Sequence, residues 1–182
     1  MPTGSMADSS MFERLIAWAK HRGILLVNDN PYSFILNDNP QSILDNPNAL
    51  DVAMELNSLS KSFNMAGWRV GMLAGNESNI HAVLKVKSNM DSGMFYGIQR
   101  GAIAALQLPI TWFEQLNSIY QERREAMTTL ATLLDTAIAP QSVGLFLWAK
   151  LNGTHLNAED YIDTLLHQYH LFILSLIHIS EP

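Results

Sequence analysis

The run Asn57-Ser58-Leu59-Ser60-Lys61-Ser62-Phe63-Asn64-Met65-Ala66-Gly67-Trp68-Arg69-Val70-Gly71 decides how the rest of this 182-residue chain is read. It puts a lysine in a turn rich in hydroxyls and small side chains, with an arginine eight residues later between two glycines. A lysine amine attacks carbonyls when its surroundings favour the neutral form, and Schiff-base formation is one of its main catalytic uses. Serine hydroxyls and a guanidinium suit a phosphate, because the planar arginine fork binds phosphate oxygens through paired, charge-assisted hydrogen bonds. A reactive lysine beside a phosphate cradle is what an aldehyde cofactor carrying a phosphate requires.

The spacing resembles the pyridoxal-phosphate lysine signature of class I/II aminotransferases, Ser-x-Ser-Lys followed by Gly-x-Arg-x-Gly. Ser58, Ser60, Lys61, Gly67, Arg69 and Gly71 carry the match. An ordinary solvated loop lysine has no reason to sit at these fixed offsets from five such residues. Ser58-Leu59-Ser60-Lys61 also satisfies Ser-x-x-Lys, the nucleophile motif of serine β-lactamases and penicillin-binding proteins. That chemistry needs Ser-Asp-Asn and Lys-Thr-Gly partners, and neither tripeptide occurs in the chain.

Upstream, Gly23-Ile24-Leu25-Leu26-Val27-Asn28-Asp29-Asn30-Pro31-Tyr32 reads as an apolar strand ending in a turn. Continuous apolar runs are typical of parallel strands buried on both faces. Ligands in open α/β sheets bind beyond the carboxyl ends of strands, where Asp29 and Tyr32 fall. A carboxylate there can pair with a pyridine nitrogen and strengthen the ring as an electron sink. A phenol three residues later can hydrogen-bond the ring's 3-oxygen. Taken alone, Asp-Asn-Pro-Tyr is also ordinary turn chemistry. Its place ahead of the lysine motif is again similar to the aminotransferase order. A second Asn-Asp-Asn-Pro string, Asn37 to Pro40, lacks the central glycine and closing glutamate of a calcium loop and reads as a turn. At the amino terminus, Pro2-Thr3-Gly4 resembles the end of the family's Asn-Pro-x-Gly turn, with Met1 in the asparagine's place.

Composition narrows the classes. Hydrophobic residues make up 48% and charged residues 15%, which describes a chain that builds a core. A formal charge of −6 without a basic cluster argues against nucleic acid and anionic membrane surfaces as partners. The chain has no cysteine, so disulfides and thiolate zinc sites are excluded. His155, His167, His170 and His178 lack the helical His-x-x-x-His spacing of a metal site, and the nine methionines suit irregular core filling. With no basic-then-apolar leader and no uninterrupted bilayer-length run, a cytoplasmic location is the expectation.

Along the chain, Ser10 to Arg22 has helical apolar spacing, with Ser10 and Glu13 as a capping box and Gly23 as its stop. Strands follow over Ile24 to Asn28, Val52 to Asn57 and Val70 to Ala74. Asn76 caps a helix to about Lys87, a loop covers Ser88 to Phe95, and Gly97 to Leu106 is a small-residue helix that includes Gln99. Trp112 to Ala137 reads as one long amphipathic helix with Arg123 and Arg124 solvated. Val143 to Ala149 reads as a strand, Ala158 to Tyr169 as a helix, and His170 to Ile173 as the start of another strand. This alternation is that of a three-layer α/β domain.

The resemblance covers about Pro2 to Ile173. It implies an α/β fold, part of a large three-layer pyridoxal-phosphate domain with a mostly parallel sheet, followed by the start of a small α+β domain. Residues 1–115 would belong to the first, and residues 116–182 to the interdomain helix and the second. The implied activity is pyridoxal 5'-phosphate-dependent transamination between an amino acid and a 2-oxo acid, in amino-acid metabolism, by a homodimeric full-length enzyme. Lys61 would be the catalytic Schiff-base residue, with Asp29, Tyr32, Ser58, Ser60 and Arg69 as cofactor ligands. A β-eliminating lyase or decarboxylase shares the motif, as does the aminotransferase-like module of a transcriptional regulator. Residues 174–182 depart from the family pattern, lacking its Pro-Gly turn and carboxylate-binding arginine, and resemble translated adapter sequence. The chain is therefore expected to be a truncated piece, inactive by itself and exposing sheet edges and apolar surface.

Overall fold

A computed structural model describes residues 3–139, 142–153 and 157–174. Met1, Pro2, Pro140, His155 and the tail from residue 175 lie outside the described residues.

Helix α1 (Ser9–Arg22) starts where Asp8 accepts the Met11 N–H and ends on Gly23 at φ 65. The expected Ser10 cap is therefore displaced by two residues. Ser10 instead donates its hydroxyl to Asp8 Oδ1 at 2.8 Å, because a carboxylate is the stronger acceptor for the free N–H groups of the first turn. Phe12, Ile16 and Ala19 form the buried stripe of α1.

Strand β1 (Leu26–Asp29) pairs in parallel with β2 (Ala53–Ser58), with Leu26 opposite Ala53 and Asp29 opposite Leu56. β2 pairs antiparallel with β3 (Gly71–Ala74), with Ser58 opposite Gly71. The described sheet thus has the order β1-β2-β3, with β2 in the centre and one pair of each sense. One core cluster joins Phe12 and Ile16 of α1 to Ile43, Ala49 and Ala53. The loop between β1 and β2 supplies part of it through two short 3-10 turns, Ile43–Asp45 and Ala49–Asp51.

Between β2 and β3 lies α2 (Leu59–Ser62), which carries the lysine. Helices α3 (Glu77–Met90) and α4 (Tyr96–Leu106) follow. Asn76 caps α3 as expected, accepting from Asn79 N. A second cluster packs Leu59, Met65 and Val70 around the lysine turn against Ala105 of α4.

Helix α5 (Thr111–Leu133) ends four residues short of the expected Ala137. Asp135 adopts a left-handed φ of 50, and Thr136 Oγ1 donates to Ala131 O at 2.8 Å. The apolar spacing carries on past the helix because Ile138 of β4 (Thr136–Ile138) lines the same cavity as Leu130 and Leu134. β4 pairs antiparallel with β5 (Ala149–Leu151) in a second sheet. Only the end of the expected Val143 to Ala149 strand is therefore paired. The rest is drawn away: Val143 N donates to Gly4 O and Gly144 N to Ile35 O. α6 (Ala158–Tyr169) closes with His170 N on Leu166 O and Leu171 N on Leu165 O, His170 lying at φ 55. This C-terminal wrap uses the donors that the expected strand from His170 would need, and residues 171–174 pair with no strand among the described residues.

Apolar side chains remain open on several faces. Val27 on β1 is 53% exposed, Met90 at the end of α3 is 76% exposed, and Phe95, Tyr96 and Ile110 are also exposed.

Candidate active site

The lysine turn is built by short-range capping. Ser58 ends β2 and caps α2, its Oγ accepting from Ser60 N at 3.1 Å and bonding Ser60 Oγ at 2.9 Å. Leu59 N donates to Val70 O at 3.2 Å, and the Ser58 hydroxyl reaches the same carbonyl at 3.3 Å. The two ends of the signature are thereby closed on each other, which holds Lys61 on one helical turn just beyond the end of β2.

Helix α5 braces this turn from behind. Trp112 Nε1 donates to Ser62 O at 3.0 Å, and Tyr120 Oη bonds Asn64 Oδ1 at 3.2 Å. The ring of Phe113 packs on Phe63 at 5.3 Å and on Phe34 at 5.4 Å. Asn117 accepts from Leu36 N at 2.9 Å and donates to Phe34 O at 3.0 Å. One helix therefore grips both the lysine turn and the loop after β1.

These supports bring the two motifs together. Lys61 Nζ lies 5.6 Å from the centroid of the Tyr32 ring, although 29 residues separate them in the chain (61 − 32). Tyr32 in turn meets Phe146 edge-on at 5.9 Å. Asp29 ends β1 opposite Leu56, so Ser58 lies two residues, about 7 Å of strand, further along the neighbouring strand. Asp29 and Tyr32 line a cavity of about 240 Å³ together with Asn28, Asn30 and Gly144. The ion pairs among the described residues, Lys20–Asp51 and Lys87–Asp91, lie elsewhere, which leaves Asp29 and Lys61 without a charged partner there. Arg69 is not drawn into the cluster. It is exposed, sits at a left-handed φ of 51, and donates from Nη1 to Ala66 O at 3.0 Å.

The family model for class I and II aminotransferases matches residues 1–180. The chain belongs to that family. It is 38% identical over 160 residues to an LL-diaminopimelate aminotransferase of Aquifex aeolicus, covering 87% of this chain and 41% of the relative. Among solved structures, BacF of Bacillus subtilis superposes with a TM-score of 0.85 at 36% identity, covering 93% of this chain and 44% of BacF. An aminotransferase of Staphylococcus aureus gives 0.84 at 30% identity, over 94% of this chain and 46% of that one. The chain thus spans less than half the length of these relatives.

Membership of the family implies pyridoxal 5'-phosphate, and the local chemistry of this aminotransferase chain suits that group. Among the described residues the Lys61 amine and the Asp29 carboxylate have no charged partner. The amine lies by the Tyr32 ring and the carboxylate shares its cavity, and the Ser58 and Ser60 hydroxyls bond each other where β2 meets α2. Three supporting residues escaped the sequence reading. Asn117 and Trp112 gave no signal, since a polar or aromatic residue on an amphipathic helix is unremarkable before its neighbours are known. Glu55, which accepts from Asn28, Asn30, Ser42 and Ile43, did give one, as the lone charge of its strand, set between Met54 and Leu56. Arg124 was read as solvated, yet its Nη1 and Nη2 donate to Ser142 O and Gly144 O at 2.7 and 2.8 Å.

Proposed function

We propose that the protein to which this chain belongs is a pyridoxal-phosphate-dependent transaminase acting between an amino acid and a 2-oxo acid. The observation that carries the reading is the approach of Lys61 Nζ to the Tyr32 ring, which joins the lysine signature to the Asp29 turn. When bound, the cofactor supplies an aldehyde that takes up the amino group and a ring that withdraws electrons from the reacting carbon.

The chain's own residues then divide the remaining work. The Lys61 amine would hold the cofactor's aldehyde group and would serve as the site's proton carrier. The Asp29 carboxylate holds a proton on the ring nitrogen, and the Tyr32 hydroxyl donates to the 3-oxygen. Ser58, Ser60 and Arg69 bind the phosphate. In this reading residues 1–115 are part of the cofactor domain and residues 116–182 begin a smaller one, a division supported by the separate β4–β5 sheet after α5. The names of the aligned relatives support an amino acid as the donor and a biosynthetic role, and a homodimer would cover apolar groups such as Phe95 and Tyr96.

Borohydride reduction of the protein at its natural length, loaded with pyridoxal phosphate, followed by peptide mapping, tests the assignment. The pyridoxyl group is expected on Lys61, with Lys61→Ala losing the visible absorbance. A label on Lys85 or Lys87 would overturn it.

A further inference from the structure

We propose that Glu55 is a positioning residue, whose buried carboxylate sets the direction of Asp29 and the turn to Tyr32 by holding the asparagines on either side of Asp29. The inference rests on the reading of Asp29 and Tyr32 as cofactor ligands.

Glu55 lies in the middle of the central strand and is only 8% exposed. A carboxylate taken out of water is costly unless donors surround it. Here four donors reach it. Asn28 Nδ2 lies 2.9 Å from Oε2 and Asn30 Nδ2 lies 3.2 Å from Oε1. The Ser42 hydroxyl donates to Oε2 at 2.9 Å, and Ile43 N does so at 3.0 Å. The carboxylate therefore ties together the end of β1, the turn after it and the first 3-10 turn of the following loop.

The register explains why this bears on Asp29. Glu55 is the strand partner of Asn28, so the two side chains share a face. Alternation puts Asn30 on that face as well and sends Asp29 to the other. Asp29 is consequently held by two side chains anchored on the opposite side of the sheet. Asn30 has further ties, with its Nδ2 on Gln41 O at 3.0 Å and its N–H on Leu56 O at 2.9 Å. Pro31 and Tyr32 follow directly, so the start of the phenol's turn is set by the same clamp.

The backbone ladder between β1 and β2 does not depend on the Glu55 side chain. Glu55→Gln keeps the size of the group and, with its oxygen at the Oε2 position, sets an amide N–H₂ against Asn30 Nδ2, which opens the clamp at Asn30 and leaves the strands paired. Groups that orient a ligand residue are worth about 10- to 100-fold in affinity at metal sites, and a similar scale applies to a misdirected carboxylate.

The test uses the full-length protein and two readouts, the dissociation constant for pyridoxal 5'-phosphate and the pH titration of the bound cofactor's visible absorbance. Glu55→Gln and Asn30→Ala are expected to raise the dissociation constant about tenfold or more and to move the titration midpoint. Asp45→Asn is the control. Asp45 caps the same 3-10 turn through Ser42 N without touching Glu55, so both readouts should stay at wild type. Wild-type values in folded Glu55→Gln overturn the inference. If circular dichroism shows that variant unfolded, Asn30→Ala decides, and wild-type values there overturn it. An equal loss in Asp45→Asn also overturns it, since the effect would then be general loosening of the loop. A wild type that fixes no pyridoxyl on Lys61 overturns the transaminase reading and this inference with it. A wild type that loads normally, with inert Glu55 and Asn30 variants, overturns the inference alone.

Discussion

Arg124 Nη2 donates to the carbonyl oxygen of Gly144 at 2.8 Å, across twenty residues of chain. With Nη1 on Ser142 O, the guanidinium fastens α5 to the segment that leads into β5. The same segment is held by Gly4 O through Val143 N and by Ile35 O through Gly144 N. Partial burial lowers the Arg124 pKa from its ordinary value, because desolvation penalises the charged form. Hydrogen bonds made by a charged group are worth about 1.5–3 kcal/mol each, so Arg124→Ala is expected to cost roughly 2–3 kcal/mol after solvent compensation. Arg123, whose only described contact is the Tyr120 ring at 5.6 Å, should stay within about 0.5 kcal/mol of wild type on the same substitution. Urea denaturation of the two variants side by side measures the difference, and equal midpoints would show that the Arg124 contacts contribute nothing.

The two outer glycines of Gly67-Trp68-Arg69-Val70-Gly71 serve different purposes. A Cβ on Gly71 would lie 2.6 Å from Asn57 O, a backbone atom of the paired strand that cannot step aside. A Cβ on Gly67 meets nothing within 4 Å. Gly71→Ala is expected to cost about 1–3 kcal/mol through forced separation of β2 and β3 beside Ser58. Gly67→Ala should be close to neutral. Thermal unfolding of both variants checks this, and a neutral Gly71→Ala would mean the strands part without penalty.

Asp8 gives a pH dependence. Its carboxyl is held below the ordinary value chiefly by the Met11 N–H, with help from the Ser10 hydroxyl. A depressed folded-state pKa means the cap stabilises α1 above the unfolded carboxylate value of about 3.9 and that this support is lost as pH falls through the lower folded value. Asp8→Asn keeps an acceptor but does not titrate. Its stability should therefore vary less than wild type below about pH 4, as read from unfolding midpoints over an acid series. Parallel acid profiles would show that Asp8 makes no linked contribution.

Local rules made much of this fold readable. Asn76 announces α3 because an Asn before an amphipathic run is a strong cap, and the expected helix over Ala158 to Tyr169 is α6 as the structure bounds it. The lysine turn was legible because its chemistry is packed into contiguous residues. Elsewhere non-local partners decided the outcome. Residues 143–148 have strand-like composition, but at the start of the run Val143 N is claimed by Gly4 O, Gly144 N by Ile35 O and Gly144 O by Arg124. The end of α5 is hidden in sequence because a half-buried apolar stripe at Leu130 and Leu134 passes without a break into Ile138 of β4. Glu55 and Asn117 act through residues 12 to 83 positions away, and no single-sequence pattern encodes such pairings.

Arg69 carries the last prediction, because the structure places it near the signature without engaging it. Its guanidinium rests on Ala66 O and is exposed, while the hydroxyl of Ser58, the last residue of β2, reaches the Val70 carbonyl next to it. A phosphate bound at the serine hydroxyls would give the guanidinium a stronger acceptor than one backbone carbonyl. Arg69→Ala is then expected to weaken pyridoxal-phosphate binding by about 2–5 kcal/mol, or roughly 30- to several-thousand-fold. Arg69→Gly separates this from any backbone effect. Glycine suits the left-handed φ of 51 without a Cβ penalty, so that variant should fold as well as wild type and still lose the affinity. Arg123→Ala, on the exposed side of α5, should bind as wild type does. Fluorescence titration of the three variants compares them directly, and wild-type affinity in Arg69→Gly would show that the guanidinium is not the phosphate ligand.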